Sequence, residues 1–275
     1  MSYARLVKPG SKFKLNDVDP GYHDGLSEEE ALTRLGEIGN KISKLQELLY
    51  AAKQNSMLIV LQGRDTSGKD GAIRRILHYC NVQSTSVVPF KVPTSVEAGH
   101  DFLWRVHSHA PGKGDVTIFN RSHYEDVLVA RVHKLVPKKV WKRRYDHINN
   151  FERLLTESGV IVLKFYLHIS KGEQEQRLLA REQDPEKSWK LSVGDWKERE
   201  LWDDYTDAYE DALDECSTND APWRVVPANH KWFRDLAIAQ TLLHELEPYE
   251  KTWKASLQQL GVEQKAEIDA FRKAK

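Results

Sequence analysis

The chain has 275 residues, its 41 basic side chains are matched by 41 acidic ones, and its mean hydropathy is −0.61. Balanced charge excludes a global field that drives the protein onto nucleic acid or a membrane, so a polyanion must be held by local basic clusters. Two distant cysteines, Cys80 and Cys216, exclude a disulfide framework and a paired cysteine metal site, and no apolar run approaches a membrane span of about 20 residues. The expectation is a cytoplasmic protein, one α/β domain with embellishments, with no nucleic-acid or membrane partner. Residues 1–26 carry lysines, prolines and glycines without periodicity and are expected as an extended arm. Ser27 followed by Glu30 is a capping box and opens a helix to about Lys53. Along it Leu32, Leu35, Ile38, Ile42, Leu45 and Leu49 form one apolar stripe, packed on its own sheet or used to associate with a second copy.

From Met57 the chain alternates strand and helix. Strands are expected at Met57–Gln62, Ser86–Phe90, Val116–Phe119, Val160–Leu167 and Trp223–Val226, with Lys164 interrupting the fourth apolar run. Helices are expected at about Gly71–Tyr79, Val96–His107, Ser122–Val132, Lys138–Glu157, Ser170–Glu182, Val193–Glu215, Trp232–Glu247 and Pro248–Arg272. This rhythm, with a glycine-rich loop after the first strand, describes an α/β P-loop sandwich of three layers, with a five-stranded parallel sheet and the ligand at the carboxyl ends of the strands. The expected organisation is the arm at 1–26, the P-loop domain at 27–247 with a lid at about 170–195, and a C-terminal helix at 248–275.

The first strand runs into Gly63-Arg64-Asp65-Thr66-Ser67-Gly68-Lys69, which fits G-x-x-x-x-G-K. Its glycines let backbone N–H groups converge on an anion, the next helix offers its positive end, and Lys69 reaches terminal phosphates. Gly63, Arg64, Thr66, Ser67, Gly68 and Asp70 are the expected phosphate-binding group around it. Asp70 stands where a magnesium-holding hydroxyl residue usually follows the lysine, and Asp65 adds a carboxylate inside the loop. A carboxylate beside a polyphosphate repels it unless a divalent cation lies between, so Asp65 is read as a magnesium ligand.

After the third strand comes Asn120-Arg121-Ser122-His123-Tyr124-Glu125-Asp126, where a P-loop enzyme places its second metal-binding acid. Asn120 is expected to orient a metal-bound water while Asp65 or Glu125 supplies charge. Arg121 is placed to grip a phosphoryl oxygen in transfer, or else to pair with Glu125 one helical turn along, worth ~0.3–0.5 kcal/mol. Arg177 and Arg181 share one helix face beside the stretch from Asp184 to Ser192, which reads as a lid with arginines that close on the transferring group. Lys138, Lys139, Lys142, Arg143 and Arg144 are a solvated helix face or a polyanion track. His107 and His109 lack partners for a zinc site.

These three motifs, in this order, resemble the polyphosphate kinases of type 2, with Arg131 beyond the second motif and the likeness spanning about 27–247. The resemblance implies magnesium-dependent phosphoryl transfer, with manganese as a possible substitute, between inorganic polyphosphate and the adenine nucleotides AMP, ADP and ATP. It implies Asp65, Lys69, Arg121, Arg177 and Arg181 as catalytic, Asp65 and Glu125 as metal ligands, and Asn120, Glu125, Asp126 and Arg131 around the nucleotide. Asn120 departs from the aspartate of many members. With Glu125, it is similar to the subgroup, class III, that phosphorylates both AMP and ADP. An ATP-dependent nucleoside monophosphate kinase shares the P-loop and arginine lid, but Asp65 and Asp70 stand against it. A homo-oligomer is expected from the stripe at Leu35–Leu49.

Overall fold

The computed structural model describes residues 2–186 and 192–274, so Lys187, Ser188, Trp189, Lys190 and Leu191 of the expected lid lie outside the described residues. Among the described residues six strands form one sheet: β1 (Arg5–Leu6), β2 (Ser56–Gln62), β3 (Thr85–Pro89), β4 (Val116–Asn120), β5 (Val160–His168) and β6 (Trp223–Pro227). Their order is β1-β6-β5-β2-β4-β3. The helices are α1 (Glu28–Ala52), α2 (Lys69–Leu77), α3 (Ser95–Ala98), α4 (Trp104–His107), α5 (Val129–Val132), α6 (Lys138–Glu157), α7 (Lys171–Glu182), α8 (Val193–Glu200), α9 (Trp202–Glu215), α10 (Lys231–Leu246) and α11 (Glu250–Lys273).

The five expected strands are present and mutually parallel, with β2 paired to both β4 and β5. The sheet nevertheless has a sixth strand and is mixed, because Arg5 and Leu6 of the expected arm pair antiparallel with β6. Two residues carry no readable alternation; the free edge of β6 is what draws them into register. The run Met57–Leu61 is wholly apolar because β2 is covered on both faces. Met57, Ile59 and Leu61 face a core shared with α1, α2 and α10, whereas Leu58 and Val60 face a second core shared with α6 and α9.

The Ser27–Glu30 capping box forms as read, and Leu35, Ile42, Leu45 and Leu49 of α1 are buried against α10 and the first core. Leu32 is 44% exposed. The stripe from Leu35 to Leu49 is therefore packed mainly inside the chain, with Leu32 at its exposed end. The expected helix 122–132 is instead a 3-10 turn, His123–Asp126, followed by α5, because His123 and Tyr124 are drawn fully into the second core. The expected helix 193–215 breaks at Leu201 into α8 and α9. Beyond Trp253, which is buried and donates from Nε1 to Asn55 Oδ1 at 3.0 Å, α11 is largely exposed. Among the described residues, no helix is long and apolar enough to cross a membrane.

Candidate active site

Parallel register brings the segments after β2, β4, β5 and β6 to one edge of the sheet: Leu61 lies opposite Asn120 on one side and Phe165 on the other. The loop after β2 is shaped by two glycines. Gly63 has φ 153°, and a Cβ there would lie 2.9 Å from the Leu167 carbonyl. Gly68, at φ 98°, caps the start of α2, and a Cβ there would lie 2.0 Å from Arg234 Nη1. Thr66 Oγ1 and Ser67 Oγ are buried in the loop with no hydrogen-bond partner among the described residues. Buried hydroxyls without partners, beside a helix N-terminus, are what a phosphate cradle presents.

Lys69 is buried and curls back over the loop, its Nζ donating to the Gly63 carbonyl at 2.7 Å and the Arg64 carbonyl at 3.1 Å. Burial pulls its pKa below the usual lysine value, against the opposing charge of Asp65. Arg121 has φ 61° and directs its guanidinium between two carboxylates, at 2.7 Å from Asp65 Oδ1 and 3.4 Å from Glu125 Oε2. The pairing with Glu125 is thus present, and it coexists with a link to Asp65 of the glycine loop. Burial works against its charge, but Glu125 and Asp65 outweigh that and raise the arginine pKa. Burial raises the Glu125 pKa as well, opposed by Arg121 and Lys69. Asn120 donates to Asp70 Oδ1 at 3.1 Å, and Asp70 itself is exposed.

Other expected residues are brought near the loop in different ways. Arg177 is a clamp: it donates from Nη1 to the Thr66 carbonyl at 2.9 Å and from Nη2 to the Ala228 and Asn229 carbonyls at 2.6 and 2.8 Å. Arg181 pairs with Asp195 of α8 at 2.8 Å. Arg64 turns its guanidinium away from the loop to stack on Trp202, 3.6 Å from the ring centroid, and to bond the Trp202 carbonyl and Thr206. Its carbonyl stays at the loop, where it accepts from Lys69. Asp126 points behind the turn to Arg144, at 3.0 Å, and Arg131 reaches Asp211 and the Trp141 ring; neither side chain meets the glycine loop.

Two cavities meet at Asp65, Arg121 and Asp195. One, of about 460 Å³, is lined by Lys69, Arg121, Arg177 and Arg181, with Arg74, Lys231 and Arg234 beyond them, against the carboxylates Asp65, Asp70 and Asp195. Seven cations against three carboxylates suit a polyanion. The other, of about 290 Å³, runs past Glu125 to Leu128, Val129, His133, Tyr205 and Tyr209. Its aromatic and aliphatic lining suits a ligand with a flat apolar portion. A larger groove of about 870 Å³ follows α6, where Lys139, Arg143 and Arg144 line it, and it shares no residue with these two. The basic run on α6 therefore stands apart from the glycine loop.

Arg234, only 3% exposed, was not legible in the sequence, although it donates to the Gly68 carbonyl at 3.1 Å. Its signal was a basic residue in the first turn after the last strand. Tyr205 and Tyr209 were legible only as two aromatics one turn apart on a polar helix. Among the described residues no group of three or more His, Cys, Asp or Glu side chains is arranged to hold a metal. Two carboxylates with room for phosphate oxygens fit magnesium, which binds through one or two carboxylates plus substrate phosphates.

The family described as polyphosphate kinase 2 matches residues 25–254. The chain belongs to the polyphosphate kinase 2 family. It is 49% identical over 243 residues to an AMP/ADP-polyphosphate phosphotransferase of Meiothermus ruber, covering 88% of this chain and 91% of that one. It is 43% identical to an ADP-polyphosphate phosphotransferase of Rhodopseudomonas palustris, covering 84% and 83%. Its fold is similar to that of polyphosphate kinase 2 from Arthrobacter aurescens TC1, with a TM-score of 0.85 at 40% identity over 91% of this chain and 93% of that one. As a polyphosphate kinase 2 the chain is a metal-dependent phosphotransferase that phosphorylates nucleotides from polyphosphate.

Proposed function

We propose that this polyphosphate kinase uses magnesium, accepts both ADP and AMP, and joins its two substrates at the wall between the two cavities. The observation that carries this is the shared wall itself: Asp65 and Arg121 border the basic cavity and the tyrosine-lined cavity at once. Polyphosphate enters the basic cavity past the exposed Arg74 and Lys231, and the nucleotide lies in the other with its phosphates toward Arg121. A relative named for AMP and ADP, together with the Asn120 and Glu125 pattern, supports the wider acceptor range.

The chemistry is an in-line displacement. An oxygen of the nucleotide's terminal phosphate forms a bond to the end phosphorus of polyphosphate as that phosphorus releases the shortened chain. The attacking oxygen is already ionised, so no general base is needed, and positioning with charge neutralisation supplies the rate. Lys69, released from the Gly63 and Arg64 carbonyls to a phosphate oxygen, and Arg121 neutralise the group in flight. Arg177 holds the loop in shape through Thr66, and Arg181 sits on the lid side of the basic cavity. Asp65 and Glu125 would hold magnesium, which when bound screens the phosphates from each other and from these carboxylates.

The test is direct. Purified protein with ADP, polyphosphate and magnesium, and no ATP donor, makes ATP; with AMP it makes ADP. No ADP from AMP removes the wider acceptor range. No product from either, with phosphorylation of AMP when ATP is supplied, turns the assignment to an ATP-dependent nucleoside monophosphate kinase.

A further inference from the structure

Behind the turn that carries Arg121 and Glu125, four polar side chains are sealed from solvent: Lys164, His123 and Tyr124 are 0% exposed and Glu152 is 1% exposed. Lys164 Nζ donates to Glu152 Oε2 at 2.6 Å, to the Tyr124 hydroxyl at 2.9 Å and to the Cys216 carbonyl at 2.6 Å. All three ammonium hydrogens are thereby used. The other oxygen of Glu152 accepts from the Tyr124 hydroxyl at 2.8 Å and faces His123 Nε2 at 3.2 Å, which beside a carboxylate is the protonated nitrogen. The members come from the middle of β5, from α6, from the turn and from the end of α9.

A buried ion pair is a poor device for stability alone, since apolar side chains of similar volume often serve as well. Its location indicates another duty. Tyr124 directly precedes Glu125, and His123 follows Arg121 by two positions. Arg121 is held at φ 61°, a region that L-residues avoid and keep only where their surroundings over-determine it. In front, Gln62 Nε2 donates to Ser122 Oγ at 3.1 Å and the Arg121 N–H donates to the Leu61 carbonyl at 3.1 Å. Behind it, His123 and Tyr124 reach Glu152 and Lys164, while Asp126 is held by Arg144.

We propose that the Lys164–Glu152 pair is a positioning device which, through Tyr124 and His123, fixes the turn so that Arg121 and Glu125 face Asp65. The proposal rests on the phosphotransferase reading. Its residues touch no substrate; they act on the orientation of those that do, so their loss appears in kcat more than in binding.

The experiment is steady-state kinetics of ATP formation from ADP and polyphosphate for Tyr124→Phe, Glu152→Gln, His123→Ala and His123→Gln, each checked for folding by circular dichroism. Tyr124→Phe keeps the ring and removes one hydroxyl. Its kcat is expected to fall about tenfold or more, with each KM within about twofold, the scale of a reacting group misplaced without loss of binding. His123→Gln, which returns an N–H near the Nε2 position, is expected to recover most of the kcat lost in His123→Ala. A Tyr124→Phe enzyme with unchanged kcat, a loss carried in KM, or His123→Gln no better than His123→Ala overturns the proposal. If Glu152→Gln fails to fold, the tyrosine and histidine variants still decide. A wild-type enzyme that makes no ATP refutes the phosphotransferase reading instead.

Discussion

Asp65→Asn separates two duties that meet in one carboxylate, holding Arg121 and holding the metal. The Arg121–Asp65 contact is 2.7 Å long, but the side chains are 40% and 28% exposed, and an ion pair so open to water adds only about 0–1 kcal/mol to stability. The melting temperature should therefore fall by no more than about 4 °C. The rate should fall much further. A preorganised charge at the transferring group is worth about 10²–10³ in kcat, or ~2.7–4 kcal/mol. Glu125 would be left as the neighbouring carboxylate, at 3.4 Å from Arg121. The assay is ATP formation from ADP and polyphosphate, followed with luciferase across a magnesium titration at fixed ionic strength. If Asp65 binds magnesium, half-saturation moves up about tenfold or more, the equivalent of ~1.4 kcal/mol of metal affinity. If it only anchors Arg121, kcat falls while the magnesium curve stays put. Near-normal kcat with an unmoved magnesium curve would refute both roles.

Lys69→Ala should lose about a hundredfold or more in kcat, read in the same assay, because it removes the buried cation whose partners are the cradle's own carbonyls. Gly68→Ala should disable the enzyme and lower its melting temperature, since the new Cβ would sit 2.0 Å from Arg234 Nη1 on a residue at φ 98°; normal activity would mean the loop and Arg234 part easily. Glu125→Gln should lower kcat/KM for AMP about tenfold more than for ADP, in parallel assays, if its charge completes the metal site for the shorter acceptor. His168, at the end of β5, has its pKa lowered from 6.5 to about 4 by burial, with Arg64 adding to the effect. The folded state thus binds fewer protons than the unfolded one in that window. This stabilisation is complete above pH 6.5 and is lost as pH falls toward 4, up to about 3 kcal/mol. Urea unfolding at pH 7 and pH 4.5 should show a smaller drop for His168→Gln than for the wild type, and equal drops would remove His168 as the cause.

What could be read from the sequence is what neighbours along the chain determine. The run Met57–Gln62, the glycine loop and α2 are contiguous, so strand, turn and helix signals reinforce one another, and the capping box at Ser27 is legible for the same reason. The strand Arg5–Leu6 was missed because two residues have no period, and its partner Val225 lies at the far end of the chain. Arg64 and Arg234 exchange their apparent importance. A cation inside a glycine loop reads as a phosphate ligand, yet Trp202, 138 positions away, takes that side chain; Arg234, 166 positions from Gly68, contacts the loop with no cue beyond being a basic residue soon after the last strand. Pattern along the chain gives no information about such pairings, because side-chain direction is decided by what the sheet brings alongside.

Lys164 carries that argument into the site. In the sequence it is an interruption of an apolar strand, a charge with no partner in view. In the fold it is fully buried, and Glu152 on the preceding helix, Tyr124 from the turn and the Cys216 carbonyl at the end of α9 complete its shell. Two of those elements also touch the site at their other ends: the turn through Arg121 and Glu125, and α9 through Tyr205 and Tyr209. An isolated buried charge would be expelled by its desolvation cost, so the ammonium is tolerated only where these elements already meet. That same condition makes it informative. Changing any one element displaces a partner of the charge, so a sequence that keeps Lys164 must keep the turn, α6 and α9 in one mutual arrangement, and with them the wall at which the two cavities join.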